Sequence, residues 1–418
     1  MKKTHDSCAF QIDIEKLVYG GFGLGRSHGK VVFTRFAVPG DQLLVRPAEE
    51  KKTFIRADIV RILEPGAGRI PALCPHFAKC GGCHWQQLEY ARQVDSKRQI
   101  LEEIVRHRFP ETRELPILMR ACPQPLAYRS RARVQTRGSG STASVGFFRS
   151  GSHSVEDVEH CPLLRSTLNE SLRALRQFKF QADPDAGAQE WDLAGSEEDG
   201  AWAAVRTGSG PNDPRAILTG SGSSGDAILK RQIGEYCYSV MASAFFQAND
   251  FIFPELVRLL EETARQYAGP SALDLFAGVG VFSLPLARYF NTVVAVENSD
   301  ASCRLCSANA LSAAPGRIQV VCADVSRWIE SQPSSARRPF DLILLDPPRT
   351  GAGTRVMERI REWAPETILY VSCDPQTLVR DIAPLSPGDY RIDLVEGLDM
   401  FPQTYHFETV VRLVRRRR

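Results

Sequence analysis

Ala272-Leu273-Asp274-Leu275-Phe276-Ala277-Gly278-Val279-Gly280-Val281-Phe282-Ser283 decides the fold of this 418-residue chain. An apolar run ends in an acid, two glycines follow with one residue between them, and an apolar stretch resumes. The pattern reads as strand, tight turn, helix. Glycine lets the backbone approach a ligand, and the amino terminus of the next helix completes a binding corner. A lone Gly-x-Gly is a weak signal, because many strand-to-helix turns carry one. Its neighbours strengthen it. Residues 292–296 read as a second strand ending in Glu297, where an acid can hold a ribose diol. Residues 318–322 form a third, ending near Asp324, an acid beside an expected adenine. Residues 341–345 form a fourth, ending in Asp346-Pro347-Pro348-Arg349. From Ser239 onward strands and helices alternate, so a Rossmann-like α/β sheet is expected there.

Ser283 replaces the third glycine of a dinucleotide fingerprint, so S-adenosylmethionine is favoured as the cofactor over a dinucleotide. Phe276, Gly278, Gly280, Glu297, Asp324 and Asp346 are the candidate cofactor residues. A further apolar run, Ile368-Leu369-Tyr370-Val371-Ser372-Cys373-Asp374-Pro375, ends in a thiol. Open α/β sheets bind ligands at the carboxyl ends of their strands. A thiolate there can add to an electron-poor ring carbon. The plainer alternative is a small buried apolar residue.

The length implies two or three domains. Lys+Arg 52 against Asp+Glu 49 excludes a strongly basic coat while allowing a local basic face. No apolar run is long enough to span a membrane, and no apolar core follows Met1-Lys2-Lys3 to make a signal peptide. Eleven cysteines without an export signal point to thiols, metal ligands or catalysis rather than disulfides. A cytoplasmic protein with no membrane partner is expected.

Residues 1–65 hold short apolar runs split by Gly and Pro turns, the pattern of a small β-barrel. Pro65-Gly66-Ala67-Gly68 reads as a linker, and Ser150-Gly151 and residues 219–225 as loops. A helix is expected over residues 86–108, and the stretch from Tyr128 to about Tyr238 is strand-rich. The expected units are 1–65, 66–236 and 237–418. Arg129, Arg131 and Arg133 alternate, which on a strand places them on one face able to meet phosphates. A solvated sheet face is the alternative. The tail Arg415–Arg418 reads as a weak phosphate contact or a loose end.

Cys74, Cys80 and Cys83 are spaced x5 and x2, and Cys161 follows far downstream beside Pro162. Three clustered cysteines with a distant proline-flanked partner match iron–sulfur patterns. Zinc, which more often uses two close pairs, stays open. Cys8, Cys122, Cys237, Cys303, Cys306 and Cys322 read as small apolar residues.

Asp274-Leu275-Phe276-Ala277-Gly278-Val279-Gly280, Asp346-Pro347-Pro348-Arg349, Ser372-Cys373-Asp374-Pro375 and His406-Phe407-Glu408-Thr409-Val410 stand in the order found in RNA uracil-5-methyltransferases. Phe245-Phe246-Gln247-Ala248-Asn249 also resembles that family's Phe-x-Gln-x-Asn segment. The resemblance covers nearly the whole chain. It implies a TRAM-type, OB-like RNA-binding barrel, a central α+β iron–sulfur domain and a class I methyltransferase domain. It implies Cys373 as nucleophile, Glu408 as base, Gln247 bonded to base or cofactor, Phe245 stacked on the target base, and Asp346 between cofactor and base. It implies a [4Fe–4S] cluster on Cys74, Cys80, Cys83 and Cys161, and ribosomal RNA ahead of transfer RNA as substrate for a monomeric enzyme. Two positions depart from the family: Val281 and Asp374 each stand where asparagine is common.

The chemistry implied needs two separate groups. Uracil C5 is a poor nucleophile until a thiolate adds to C6, and a base must then remove the C5 proton. A target base inside folded RNA must leave its stack to reach the thiol. Arg349 stands where amino-methyltransferases carry an aromatic residue after a similar Asp-Pro-Pro motif, which argues against that class. A 5-methylcytosine enzyme, a small-molecule methyltransferase and a non-catalytic RNA-binding scaffold are the other readings.

Overall fold

The computed structural model describes residues 9–138, 140–180, 189–208, 217–220, 228–333 and 339–416. Cys8, residues 221–225 of the Gly/Ser loop and the last two arginines of the tail lie outside them.

Strands β1 (Phe10–Val18), β2 (Phe22–Ser27), β3 (Lys30–Arg35), β4 (Gln42–Glu50) and β5 (Phe54–Glu64) close into a barrel in the order β1-β2-β3-β5-β4. Alternation along the strands turns Ile12, Ile14, Val32, Leu43, Val45 and Ile55 inward as its core. Asp41 is fully buried, and such a carboxylate needs donors. Gly66 N (2.8 Å) and Arg69 Nε (2.9 Å) supply them. The stretch that reads as a linker is therefore fastened to the barrel.

Helix α1 (Tyr90–Arg108) and strand β6 (Ile117–Arg120) come next. The helix starts four residues later than its composition suggests. It buries Ile100, Leu101 and Val105, and also Gln93 and Lys97.

Strands β7 (Arg131–Arg137), β8 (Ser144–Phe148), β9 (Val155–Asp157), β10 (Gln189–Gly195), β11 (Trp202–Arg206) and β12 (Ile217–Thr219) form an antiparallel sheet in the order β12-β11-β10-β7-β8-β9. Helix α2 (Ser166–Phe180) lays Leu168, Leu172 and Leu175 on Val134, Val145, Trp191 and Leu193. That spacing is one helix face. A hairpin, β13 (Ile228–Ile233) and β14 (Tyr236–Met241), and helix α3 (Phe253–Gln266) lead into the last unit.

That unit runs β15 (Gly269–Leu275), α4 (Ser283–Leu286), β16 (Phe290–Glu297), α5 (Asp300–Ala313), β17 (Ile318–Cys322), α6 (Val325–Ser331), β18 (Leu342–Leu345), α7 (Thr354–Trp363), β19 (Thr367–Ser372), α8 (Pro375–Ile382), β20 (Tyr390–Leu398) and β21 (Glu408–Arg415). Its eight strands are ordered β17-β16-β15-β18-β19-β21-β20-β6. β15 to β19 run parallel, and β21 lies antiparallel between β19 and β20. The expected Rossmann-like sheet is thus present. Every residue of β18 and β19 is buried, as strands covered on both faces must be. The strand order reverses between β15 and β18, which opens a crevice at their carboxyl ends. β6 adds to the far edge, parallel to β20. The segment after the barrel therefore detours into this sheet before the chain builds its central one.

Candidate functional site

At the crevice, Phe276, Gly278 and Gly280 hold φ of 65°, 56° and 86°. Glycine reaches that region at little cost, whereas a phenylalanine there marks a constrained turn. A Cβ on Gly280 would lie 2.9 Å from Cys306 Sγ. Glu297, expected on a ribose, accepts from Gly278 N (2.9 Å), Asn298 N (2.9 Å) and Ser299 N (2.8 Å). Its carboxylate ties the glycine turn to the end of β16. Asp324 is exposed and caps α6 by accepting from Arg327 N (3.0 Å). Val281 is buried, and its carbonyl accepts from the Tyr238 hydroxyl (2.9 Å).

Asp274 was quoted in the motif without a role, and it is fully buried. Ser283 Oγ donates to its Oδ2 (2.5 Å), while its Oδ1 has no partner. The serine that replaces the third glycine thus serves this acid. Burial pushes the Asp274 carboxyl up to about 7, with the Asp346 and Glu297 charges adding. Asp346, across the crevice, is also pushed up to about 7 by burial, and buried Gln247 faces it as a donor. Both acids are poised to ionise against a cation.

Cys373 follows β19 directly. Ser372 Oγ donates to Asp374 O (2.9 Å) and accepts from Asp374 N (3.1 Å). Asp374 Oδ1 caps α8 by accepting from Gln376 N (2.9 Å) and Thr377 N (3.1 Å), and Pro375 takes the first helical position. Asparagine caps as well as aspartate, so the departure at 374 leaves the helix start intact. Burial pushes the Cys373 thiol up to about 12; the Glu408 and Asp346 charges add, and Arg349 opposes. Glu408 opens β21 and is buried, with Oε2 unpartnered. Burial and then Asp346 hold its carboxyl well above the usual range, again against Arg349. Cys373, Glu408, Asp346 and Arg349 therefore share one field.

Residues 399–407, which lead into Glu408, are tethered from outside. Lys97 Nζ donates to Asp399 Oδ1 (2.6 Å), both groups wholly buried. Gln93 and Gln403 exchange bonds of 2.9 and 3.0 Å, and the Gln403 carbonyl accepts from His84 N (2.9 Å) and Trp85 N (3.1 Å). Rings pack onward: His84 meets Tyr405 edge-on at 4.7 Å, and Tyr405 lies tilted against His406 at 3.9 Å. Burial lowers His406 to about 3, so it is neutral at pH 7.

Cys74, Cys80, Cys83 and Cys161 line one cavity with Phe77, Phe147 and Arg129. Gly82 N donates to Cys80 Sγ (3.4 Å), and Gln86 Nε2 to Cys83 Sγ (3.2 Å). Burial pushes Cys80 up to about 11 and Cys83 up to about 12. Among the described residues no group of three or more His, Cys, Asp or Glu is set to hold a metal ion. The four thiols thus share one cavity, and a metal centre on them stays a proposal.

The arginine stripe divides. Arg129 precedes β7 and borders the cysteine cavity. Arg131 donates to Ala244 O (2.5 Å) and Ala242 O (2.9 Å), with its guanidinium 5.5 Å from the Phe245 ring. It braces the turn that presents Phe245, whose side chain is 64% exposed. Arg133 pairs with Asp192 (2.8 Å) and Glu190 (3.1 Å). Protein acceptors thus occupy two of the three. A different basic and aromatic surface does exist: a cavity of about 740 Å³ bordered by Phe22, Arg35, Phe36, Phe148, Arg149 and Tyr405. Residue patterns missed Arg349, Asp274 and Tyr19 as site neighbours. The first two stand inside quoted motifs; Tyr19 carries no local signal.

Residues 226–416 match the family model described as tRNA (Uracil-5-)-methyltransferase. A 23S rRNA (uracil(1939)-C(5))-methyltransferase of Aeromonas salmonicida is 32% identical over 98% of this chain and 97% of its own. One from Pectobacterium atrosepticum is 32% identical over 93% and 90%. The crystal structure of a Pyrococcus abyssi tRNA (uracil-54, C5)-methyltransferase with S-adenosyl-L-homocysteine covers 97% of this chain and 100% of that one, with TM-score 0.73 and 24% identity. That likeness shows the fold. Among the described residues no helix is long and apolar enough to cross a membrane.

Proposed function

This chain belongs to the RNA uracil-5-methyltransferase family and is an enzyme methylating uridine C5 in RNA from S-adenosylmethionine, and we propose that it acts on 23S ribosomal RNA through a covalent Cys373 adduct. The substrate assignment rests on the relatives that align along nearly their full length. The observation that carries the mechanism is the shared field of Cys373, Glu408 and Asp346, where β18 and β19 end and β21 begins.

The residues fit the cofactor. Asp274 Oδ1 is buried and unpartnered, and Asp274 and Asp346 are acids that a nearby sulfonium would ionise. When bound, S-adenosylmethionine supplies an electrophilic methyl group. Gly278, Gly280 and Phe276 shape its crevice, and Gln247 orients Asp346.

Cys373 ionises by losing its proton to solvent, the thiolate sulfur bonds to uracil C6, and the ring electrons move onto C5 and the O4 enolate. C5 then takes the methyl group, and S-adenosylhomocysteine is the product left as the sulfonium–methyl bond breaks. Glu408 removes the C5 proton, the C5–C6 double bond re-forms, and the thiolate departs. Arg349 lowers the cost of the thiolate and steadies the ionised base. Phe245 stacks on the extruded uracil in this reading, which its exposed ring supports.

Three modules divide the work. The barrel at 1–65 and the central unit at 66–236 hold RNA along the cavity bordered by Arg35 and Arg149. The unit at 237–418, with α1 and β6, performs the transfer. Cys74, Cys80, Cys83 and Cys161 would hold a [4Fe–4S] cluster that orders the loop; the methyl transfer needs no redox step from it. We place the enzyme in the cytoplasm as a monomer.

The test is a 23S rRNA fragment carrying 5-fluorouridine at the target. Fluorine cannot leave as a proton does, so a Cys373-linked, methylated adduct should persist through denaturing gels. Undiminished methylation by Cys373→Ala would overturn the mechanism.

A further inference from the structure

We propose that Asn249 and Tyr128 are positioning residues for product release, gripping the backbone of the loop before Glu408 so that this base stands at the C5 proton it must take. The proposal rests on the function given above and gives the segment that presents Phe245 a second task.

Leu398 and Glu408 face each other where β20 and β21 pair, so residues 399–407 are the loop between those strands. The carbonyls of this loop lie outside the ladder, and a buried carbonyl needs a donor. Other parts of the chain supply one to each carbonyl from Met400 to Gln403. Asn249 Nδ2 donates to Met400 O (3.0 Å), Lys97 Nζ to Phe401 O (3.1 Å) and Tyr128 Oη to Pro402 O (3.1 Å). His84 N and Trp85 N donate to Gln403 O.

The Asn249 and Tyr128 donors come from one clip. Arg129 bridges to Asn249 in antiparallel fashion, and Ser130 N donates to Ala248 O (2.9 Å). Two adjoining backbone segments thus each send one side chain to the loop. Both side chains are wholly buried, where water does not compete for their hydrogen bonds. Asn249 Oδ1 accepts from Phe251 N (3.1 Å). A carbonyl only accepts and an N–H only donates, so the amide has one orientation, with its oxygen on its own segment and its nitrogen on the loop. That segment also carries the exposed ring of Phe245. A uracil stacked on Phe245 is therefore tied through Asn249 to the loop that ends in Glu408, and the separation of C5 from the base is set by this contact.

The test uses Tyr128→Phe and Asn249→Ser in the full-length protein. The phenylalanine keeps the buried ring and removes the donor. The serine keeps an oxygen for Phe251 N and is too short to reach Met400 O. Two rates are read in single turnover: formation of the adduct with 5-fluorouridine RNA, and release of product from the methylated adduct on ordinary uridine RNA. Melting curves confirm folding at the assay temperature, and Tyr128→Phe decides alone where the serine variant is not folded. Each variant should release product about tenfold more slowly, within the ~10²-fold that a 1 Å misplacement can cost, and form the adduct at the unaltered rate. Added to Glu408→Gln, neither should slow release further, because the group they position is already gone. Release at the normal rate, equal slowing of both steps, or slowing that multiplies with Glu408→Gln would each overturn the proposal. Failure of the unaltered protein to form any adduct would instead refute the underlying function.

Discussion

Glu408 raises the affinity of Cys373 for its proton: after burial, its charge is the largest influence on the thiol, which is pushed up to about 12. Nucleophile and base are thus coupled. Ionisation of one opposes ionisation of the other, so they are suited to act in turn rather than together.

Glu408→Gln separates the two steps. Removing the charge eases thiolate formation, so the adduct should still form and take its methyl. The C5 proton then has no acceptor. Methylated RNA should accumulate bound to the protein on ordinary uridine, with release slowed about 10²- to 10⁴-fold, the usual worth of a general base. Denaturing electrophoresis with labelled cofactor reads this directly. Free product at the normal rate would remove Glu408 from the role.

Arg349 is the cation that opposes this field. Arg349→Met should push the thiol higher still, and each unit leaves about tenfold less thiolate at a given pH. Because the thiol stands near 12, the adduct rate of the unaltered protein should climb through pH 7 to 9 without a plateau. The variant should lie below it throughout, and Arg349→Lys between them. Superimposed profiles would show that Arg349 does not tune the thiol.

The elements closest to the chemistry were the most legible. Parallel strands buried on both faces must be apolar runs, and the polar residues that end them are where ligands bind; hence β15 to β19 and Cys373 stood out. Local caps were legible for the same reason, since Asp374 and Pro375 act within one turn. What pairs at long range was hidden. Four residues of β6 carry no signal that they join β20 across the chain. The arginine alternation was real for Arg131 and Arg133, but their acceptors come from 242–244 and from β10. Glu297 is expected on a ribose from its place at a strand end, but nothing local announces the three backbone N–H groups that also use its carboxylate.

Asp274 and Asp346 give the stability a direction with pH. Both are pushed up to about 7 by burial, from about 3.9 in an unfolded chain. The folded state therefore binds their protons more tightly. The stability they contribute is full below about pH 4 and is lost as pH rises toward 7. Denaturant midpoints of the cofactor-free protein should fall between pH 5 and 7.5 relative to Asp346→Asn. A cationic sulfonium favours the ionised acids, so cofactor affinity should rise over the same interval in calorimetry. A flat affinity would show that these carboxylates do not face the sulfonium.

Lys97 and Asp399 join α1 to the segment that carries Glu408, and both are wholly buried. Burial lowers the Lys97 pKa and Asp399 opposes that. Lys97→Ala leaves a buried carboxylate without its cation and should cost about 3–5 kcal/mol in denaturant unfolding. Lys97→Met with Asp399→Leu removes both charges and should recover most of it. A double variant as unstable as the single one would mean that packing, not charge, holds this junction.

The cysteine cavity predicts proton release on metal loading. Cys80 and Cys83 are pushed up to about 11 and 12 by burial, so both are thiols at pH 7 without a metal. A ligand must be a thiolate, and assembly therefore expels protons. Anaerobic loading with iron and sulfide should give a brown protein with about four irons per chain. Cys80→Ser should stay pale and melt lower, because the Gly82 amide loses its sulfur acceptor and the loop loses its anchor. Loading with one zinc per chain and no iron chromophore would assign the four thiols to a single ion and overturn the cluster.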